Sequence, residues 1–130
     1  MKILITGSNG FIGSNLMSEL RLSHSVIGHG RSCSSSPDTG EFLNVDIHGE
    51  THWQVFLKDI DIIVHLAAVA HNSSNDPDYI SEVNLKGTLN LAKQAATCGV
   101  KSFIFISSIG VLGNSTENSL PFDEYSKAGA

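Results

Sequence analysis

A glycine triplet set between a strand-like run and a helix-like run, near the start of the chain, most limits what this sequence can fold into. Lys2, Ile3, Leu4, Ile5 and Thr6 form a short, apolar, β-rich stretch. It breaks at Gly7 and passes through Ser8, Asn9, Gly10, Phe11 and Ile12 to Gly13. Ile12, Leu16 and Leu20 then recur at the spacing of one helix face, which predicts a helix over 10–22. Each glycine has a physical reason in such a strand–turn–helix unit. Gly7 permits a sharp exit from the strand. Gly10 leaves room for a ligand to approach backbone N–H groups, and Gly13 lets the helix lie close on the sheet. The helix N-terminus adds partial positive charge, so the expected guest is a diphosphate. The spacing is G-x-x-G-x-x-G rather than G-x-G-x-x-G, and a glycine-rich turn without a ligand is the alternative.

Beyond the turn, apolar bursts keep alternating with helical spacing. Strands are predicted at 25–27, 42–45, 61–66 and 101–106, with a short helix over 53–57. The run from Asp61 to Leu66 is apolar almost throughout, as in a strand covered on both faces of a parallel sheet. Asp76 and Pro77 open a helix predicted to reach Cys98, where Gly99 ends it. The serine-rich stretch 32–40 reads as a loop, and no regular element is predicted after Ser107. Strands separated by helices imply right-handed crossovers and a parallel sheet. The expected fold is therefore α/β, a Rossmann-like doubly wound parallel sheet of about five strands in the order 3-2-1-4-5. With Ile106 followed by no further strand, the fifth strand is expected to be an edge.

Composition narrows the partners. The chain has 130 residues, 41% of them hydrophobic and 16% charged, which suits one packed domain. Its formal net charge is −5 with no basic stripe, so nucleic acid is not an expected partner. No apolar run reaches membrane-spanning length and no signal peptide is apparent, so no membrane partner is expected and the expected location is cytoplasmic. Cys33 and Cys98 are too few for a disulfide framework. His48 and His52 share a helical spacing but lack the Glu and third ligand of a zinc site, so no metal is expected. His65, in an apolar strand, reads as a hydrogen-bonded core residue, and His71 is given no role. The triplets starting at Asn72 and Asn114 fit a glycosylation pattern that a secretory signal would have to accompany. No G-x-S-x-G elbow supports a serine hydrolase.

Five motifs in order resemble the extended short-chain dehydrogenase/reductase family, the NAD-dependent epimerases and dehydratases of nucleotide sugars. They are Thr6-Gly7-Ser8-Asn9-Gly10-Phe11-Ile12-Gly13, Val45-Asp46-Ile47, His65-Leu66-Ala67-Ala68, Asn84-Leu85-Lys86-Gly87-Thr88, and Phe105-Ile106-Ser107-Ser108 followed by Val111-Leu112-Gly113. The resemblance implies roles for these residues. Gly7, Gly10, Phe11, Ile12 and Gly13, with Ser8 and Asn9 between them, would cradle the pyrophosphate of NAD or NADP. Asp46 would take a hydrogen bond from the adenine amino group, with Ile47 beside the ring. Leu66, Ala67 and Ala68 would line the ribose and pyrophosphate. Asn84 would hold the active-site helix in register beside the cofactor. Ser107 would face the cofactor, and Ser108 would be the catalytic serine that hydrogen-bonds a sugar hydroxyl or ketone. NAD-preferring members carry an acid where this chain has Gly30, and Arg31 and Ser32 follow. Arg31 either pairs with a 2′-phosphate, which favours NADP, or merely covers the adenine face.

The resemblance implies hydride transfer at a carbon of a UDP-sugar, as epimerase, dehydratase or ketoreductase. Leu112 stands where many epimerases carry Tyr, and the helix from Asp76 resembles cell-surface polysaccharide members. Members usually dimerise through two helices, of which 76–98 matches one, so a homodimer is a candidate assembly. The chemistry also needs a Tyr and a Lys four residues later, the cation lowering the phenol's pKa. Tyr125 is followed by Lys127, only two residues on, and such residues do not share a helix face. The expectation is a dinucleotide-binding domain over 1–113 and a loop over 114–130 that leads to a catalytic helix beyond Ala130. The substrate-binding part would then be absent and the 130 residues inactive alone. A loop deletion that compresses Tyr-x-x-x-Lys, a non-enzymatic NAD(P) sensor of the same fold, and a truncated pseudogene product are the alternatives.

Overall fold

The opening apolar run forms strand β1 (Lys2–Thr6), and the glycine turn delivers the chain into helix α1 (Phe11–Leu20). The computed structural model describes residues 1–31, 41–70, 76–113, 115–116 and 121–128. Strands β2 (Ser25–His29), β3 (Phe42–Leu43), β4 (Ile62–His65) and β5 (Ser102–Phe105) follow. All pair in parallel, in the order β3-β2-β1-β4-β5, as the alternating pattern predicts. The chain winds outward from β1 first to one side and then to the other. Strand order therefore reverses at β1, and the carboxyl ends of its neighbours splay apart there.

Register decides what each face carries. Leu4, Ile27 and Ile63 lie on one face, packed with Trp53, Leu57, Val83, Leu91 and Ala95. Ile3, Ile5, Val26 and Val64 alternate to the other face, against Met17 of α1. Both faces are covered, which is why these strands read as continuous apolar runs. At the carboxyl end the row is Leu43, His29, Thr6, His65 and Phe105, on the same face as Leu4 and Ile63. Three of those five are polar, and they underlie the site described below.

Several elements differ from the sequence pattern. Strand β2 continues to His29 instead of stopping at 27. Gly28 interrupts nothing, because Ser8, Met17 and Phe42 side chains fill the space its missing Cβ leaves. Strand β3 ends at Leu43 instead of 45, since Val45 leaves the ladder for the His29 ring. The helix expected over 53–57 is a single 3₁₀ turn, Trp53–Val55. Helix α1 closes at Leu20, whose carbonyl accepts from Ser23 and His24 in a tight turn.

The predicted 76–98 helix starts as expected. Asp76 caps it by accepting from the N–H groups of Asp78 and Tyr79, with Pro77 at its first position. It is not uniform: α2 (Pro77–Ser81) opens into a π-helical turn at Glu82–Gly87 before α3 (Thr88–Thr97). One wider turn leaves apolar spacing almost unchanged, so the sequence does not reveal it. A short 3₁₀ turn at Ile109–Leu112, where no element is predicted, follows β5 and is capped by the Ser108 hydroxyl accepting from Gly110 N–H at 3.1 Å. Strand β5 pairs only with β4 among the described residues, and Ile104, Phe105 and Ile106 stay about half exposed.

Candidate functional site

At the point of strand reversal lies a cavity of about 350 Å³. The turn after β1 supplies Gly7, Asn9 and Gly10, and the end of β2 supplies His29, Gly30 and Arg31. The segment after β3 adds Val45 to His48, the segment after β4 adds Leu66 to Val69, and the helical arm adds Tyr79 and Val83. Gly7 takes φ +70, and a Cβ there would lie 2.8 Å from the Ala67 nitrogen. Only glycine combines that backbone with that approach. Gly10 N–H closes the turn on the Gly7 carbonyl at 3.0 Å, and Gly10 caps α1 without any side-chain bond. The N-terminus of α1 thus receives no side-chain cap and follows directly on the turn residues Gly7, Asn9 and Gly10 that line the cavity.

Beneath this floor, Thr6 organises a buried network. Its hydroxyl oxygen accepts from Leu66 N–H and Ala67 N–H, each at 3.2 Å. With two donors received, the Thr6 hydroxyl donates to His65 Nδ1 at 2.7 Å. The His65 hydrogen then sits on Nε2, which donates to Thr88 Oγ1 at 2.9 Å. Burial first, with a smaller contribution from the neighbouring His29, holds His65 down at about 4, so it is neutral at pH 7. The ring stacks on Phe105 with centroids 5.9 Å apart. His65 is thus the core histidine that its apolar strand suggested. Its network fixes Leu66 and Ala67 against β1.

The other walls are held from the helical arm. Glu82 accepts from Gly49 N–H at 2.8 Å, and Gln94 accepts from Trp53 N–H while donating to the Thr51 carbonyl. Asn84 makes a two-way amide clamp, accepting from Val69 N–H at 2.8 Å and donating to Val69 O at 2.9 Å. Replacing Asn84 by Ala leaves both Val69 groups unpaired. A loss of about 2 kcal/mol is expected, measurable by urea unfolding, while Asn84→Asp should keep one of the two bonds.

The structure brings Gly7, Asn9, Gly10, Arg31, Asp46, Ile47, Leu66, Ala67 and Ala68 together around the cavity. It places the other expected residues elsewhere. Ser8 is buried, with its N–H and hydroxyl both donating to the His29 carbonyl. The Phe11 and Ile12 side chains project outward at the start of α1, and Gly13 lies packed beneath the turn. Asn84 reaches the site through Val69. Ser107 and Ser108 lie exposed after β5, outside the cavity lining. Ser32 lies outside the described residues, as do Cys33, His71, 72–74 and Asn114.

Sequence reasoning gave no cofactor contact to His29, Gly30, Val45, His48, Val69, Tyr79 or Val83, all of which line the cavity. Tyr79 and Val83 carried a signal, their i, i+4 spacing on the helix. His29 carried another, a polar residue at the mouth of an apolar strand. Tyr125 is exposed in a turn closed by Asp123, which accepts from Tyr125 N–H and the Ser126 hydroxyl. Tyr125 and Lys127 therefore do not share a helix. Among the described residues no group of His, Cys, Asp and Glu is arranged to hold a metal. No described helix is long and apolar enough to cross a membrane.

A parallel sheet in this order, with a glycine turn and a cleft where the order reverses, is a Rossmann-like nucleotide-binding architecture. The model of the NAD dependent epimerase/dehydratase family matches residues 3–130, and the chain belongs to that family. UDP-glucose 4-epimerase of Vibrio cholerae is 43% identical over 126 residues, covering 92% of this chain and 38% of that one. A short-chain dehydrogenase/reductase superfamily protein from Agrobacterium tumefaciens, solved with bound NAD, superposes with a TM-score of 0.84 at 27% identity over 99% of this chain. UDP-glucose 4-epimerase from Stenotrophomonas maltophila, with bound NAD and formylated UDP-arabinopyranose, gives a TM-score of 0.82 at 26% identity over 100% of this chain. The chain spans only 39% and 43% of those two proteins. The family is NAD-dependent, and the dinucleotide in both structures is NAD.

Proposed function

We propose that this chain binds NAD or NADP in the cavity at the strand reversal. It thereby supplies the cofactor half of a nucleotide-sugar epimerase, dehydratase or ketoreductase. The observation that carries the reading is the cavity's donor set. The α1 N-terminus, without a side-chain cap, follows the glycine turn whose Gly7 and Gly10 line the cavity, which suits a diphosphate. The Asp46 carboxylate and the apolar Ile47, Ala67 and Val83 suit an aromatic amine. Leu66, Ala67 and Ala68 bring backbone and small side chains to the cleft, so a ribose can lie close to the chain.

A nicotinamide held in this cavity would supply hydride-transfer chemistry at a sugar carbon. The residues described here orient and hold. In this reading residues 1–113 form the cofactor domain, and Ser107 and Ser108 leave β5 on the substrate side of it. Ser108 Oγ already accepts from Gly110 N–H, so its hydrogen is free to donate to a sugar oxygen. Tyr125 and Lys127 do not provide the proton-handling pair that the reaction needs. The 130 residues alone are therefore expected to bind cofactor without turning over UDP-sugars.

Titration of the purified chain with NAD and NADP, alongside a turnover assay with UDP-glucose, tests both halves. The absence of binding by either dinucleotide overturns the cofactor reading, and epimerisation at rates of several per second overturns the inactivity. Arg31 lines the cavity. If it meets a 2′-phosphate, Arg31→Ala should weaken NADP by about tenfold and leave NAD unchanged.

A further inference from the structure

His29 ties together the two ends of the cavity, one through its backbone and the other through its side chain. Its carbonyl accepts from Ser8 N–H at 3.0 Å and from the Ser8 hydroxyl at 3.1 Å, which anchors the glycine turn to β2. Its ring reaches the opposite way, to the carbonyl of Val45 at 2.7 Å. A carbonyl only accepts, so Nε2 carries the ring hydrogen and Nδ1 is the bare nitrogen. The residue is 2% exposed, and Nδ1 has no hydrogen-bond partner among the described residues. The Trp53 indole lies beside it, with ring centroids 5.4 Å apart, and its buried N–H likewise has no partner among those residues. The Val45 bond is thus the ring's one strong polar contact among the described residues. It holds the segment just where Val45 leaves the sheet and Asp46 and Ile47 enter the cavity wall.

We propose that His29 is a positioning residue for the adenosine end of the dinucleotide, acting through the Val45 carbonyl on Asp46 and Ile47. The assignment rests on the cofactor reading given above and goes further by dividing the cavity in two. Side-chain replacement at His29 removes the hold on Val45. It leaves the backbone hold on Ser8, because every residue has a carbonyl there. The two ends of the ligand should therefore respond differently.

The test compares wild type, His29→Gln and His29→Asn by amide-resolved NMR titration with NAD, AMP and inorganic pyrophosphate. The Gln amide extends far enough to place an N–H near the position of Nε2. The Asn amide is one methylene shorter and does not. Expected for His29→Asn is a loss of about tenfold in affinity for NAD and AMP with less than a twofold change for pyrophosphate. His29→Gln should stay within about threefold of wild type on all three ligands. Thermal unfolding of both variants accompanies the titrations, and if His29→Asn does not fold, His29→Leu at reduced temperature takes its place. Equal losses on all three ligands would make His29 a general packing residue and overturn the proposal. So would a Gln variant no better than the Asn one. Wild-type protein that binds none of the three overturns the cofactor reading itself, a result distinct from either of these.

Discussion

Gly13→Ala is expected to destabilise the chain by about 3 kcal/mol or more and to abolish dinucleotide binding with it. A Cβ at this position would lie 2.3 Å from the Gly7 carbonyl oxygen and 2.7 Å from Ser8 Cα. Both are backbone atoms, so no rotamer change relieves the clash. Either α1 lifts from the sheet or the turn deforms. Lifting α1 uncovers Met17 from Ile3, Ile5, Val26 and Val64, and deforming the turn moves Gly7 and Gly10 out of the cavity wall. Gly99→Ala is the matched comparison. Gly99 has φ +78 but nothing within 4 Å of its would-be Cβ, so only the left-handed backbone is strained. That should cost about 1 kcal/mol. Urea unfolding of the two variants separates crowding from backbone conformation. Similar losses in both would remove the packing role given to Gly13.

Acidification should begin to destabilise the protein above the carboxylate range. An unfolded chain protonates its histidines near 6.5, whereas folded His65 resists protonation down to about 4. Between those values the unfolded state binds more protons, so lowering the pH draws the equilibrium toward it. The stability contributed by neutral His65 is complete above pH 6.5 and is lost as pH falls toward 4. For a shift of this size the loss is about 3 kcal/mol. His29, also lowered chiefly by its burial, acts in the same direction. Asp61 and Glu82 are lowered too, by hydrogen bonds from Lys101 and Lys86 first, but their stability is lost only below the ordinary carboxylate range. Urea midpoints measured from pH 7.5 to 4 should fall steadily. In His65→Gln the midpoint should start lower at pH 7.5 and fall less. A wild-type midpoint that stays flat between pH 6.5 and 4.5 would mean that His65 protonates without penalty and that its burial does not hold it neutral.

The sheet was legible in the sequence because its information is local and repetitive. Apolar runs at Ile3, Ile63 and Ile104, separated by helical spacing, specify parallel strands wherever the register falls. The glycine turn was legible for the same reason, since strand, turn and helix lie within one short stretch. What stayed hidden depends on contacts made across the fold. Gly28 reads as a strand terminator until Met17 and Phe42 are seen to fill the space over it. The π turn has no compositional mark, because Val83 and Gly87 keep ordinary helical spacing while their hydrogen-bond partners shift by one. His29 and Val83 belong to the cavity only because the sheet order brings the end of β2 and the helical arm to the same side of β1.

That π turn has a mechanical consequence for the cleft. Glu82 and Asn84, two residues apart in it, grip different margins: Gly49 beyond β3 and Val69 beyond β4. The gap between those margins is therefore gauged by a single loop of helix, like jaws set by one screw. A guest that wedges them apart must stretch the weakest-wound part of the arm, and an insertion or deletion that restored regular winding there would reset the aperture without touching any residue that lines it.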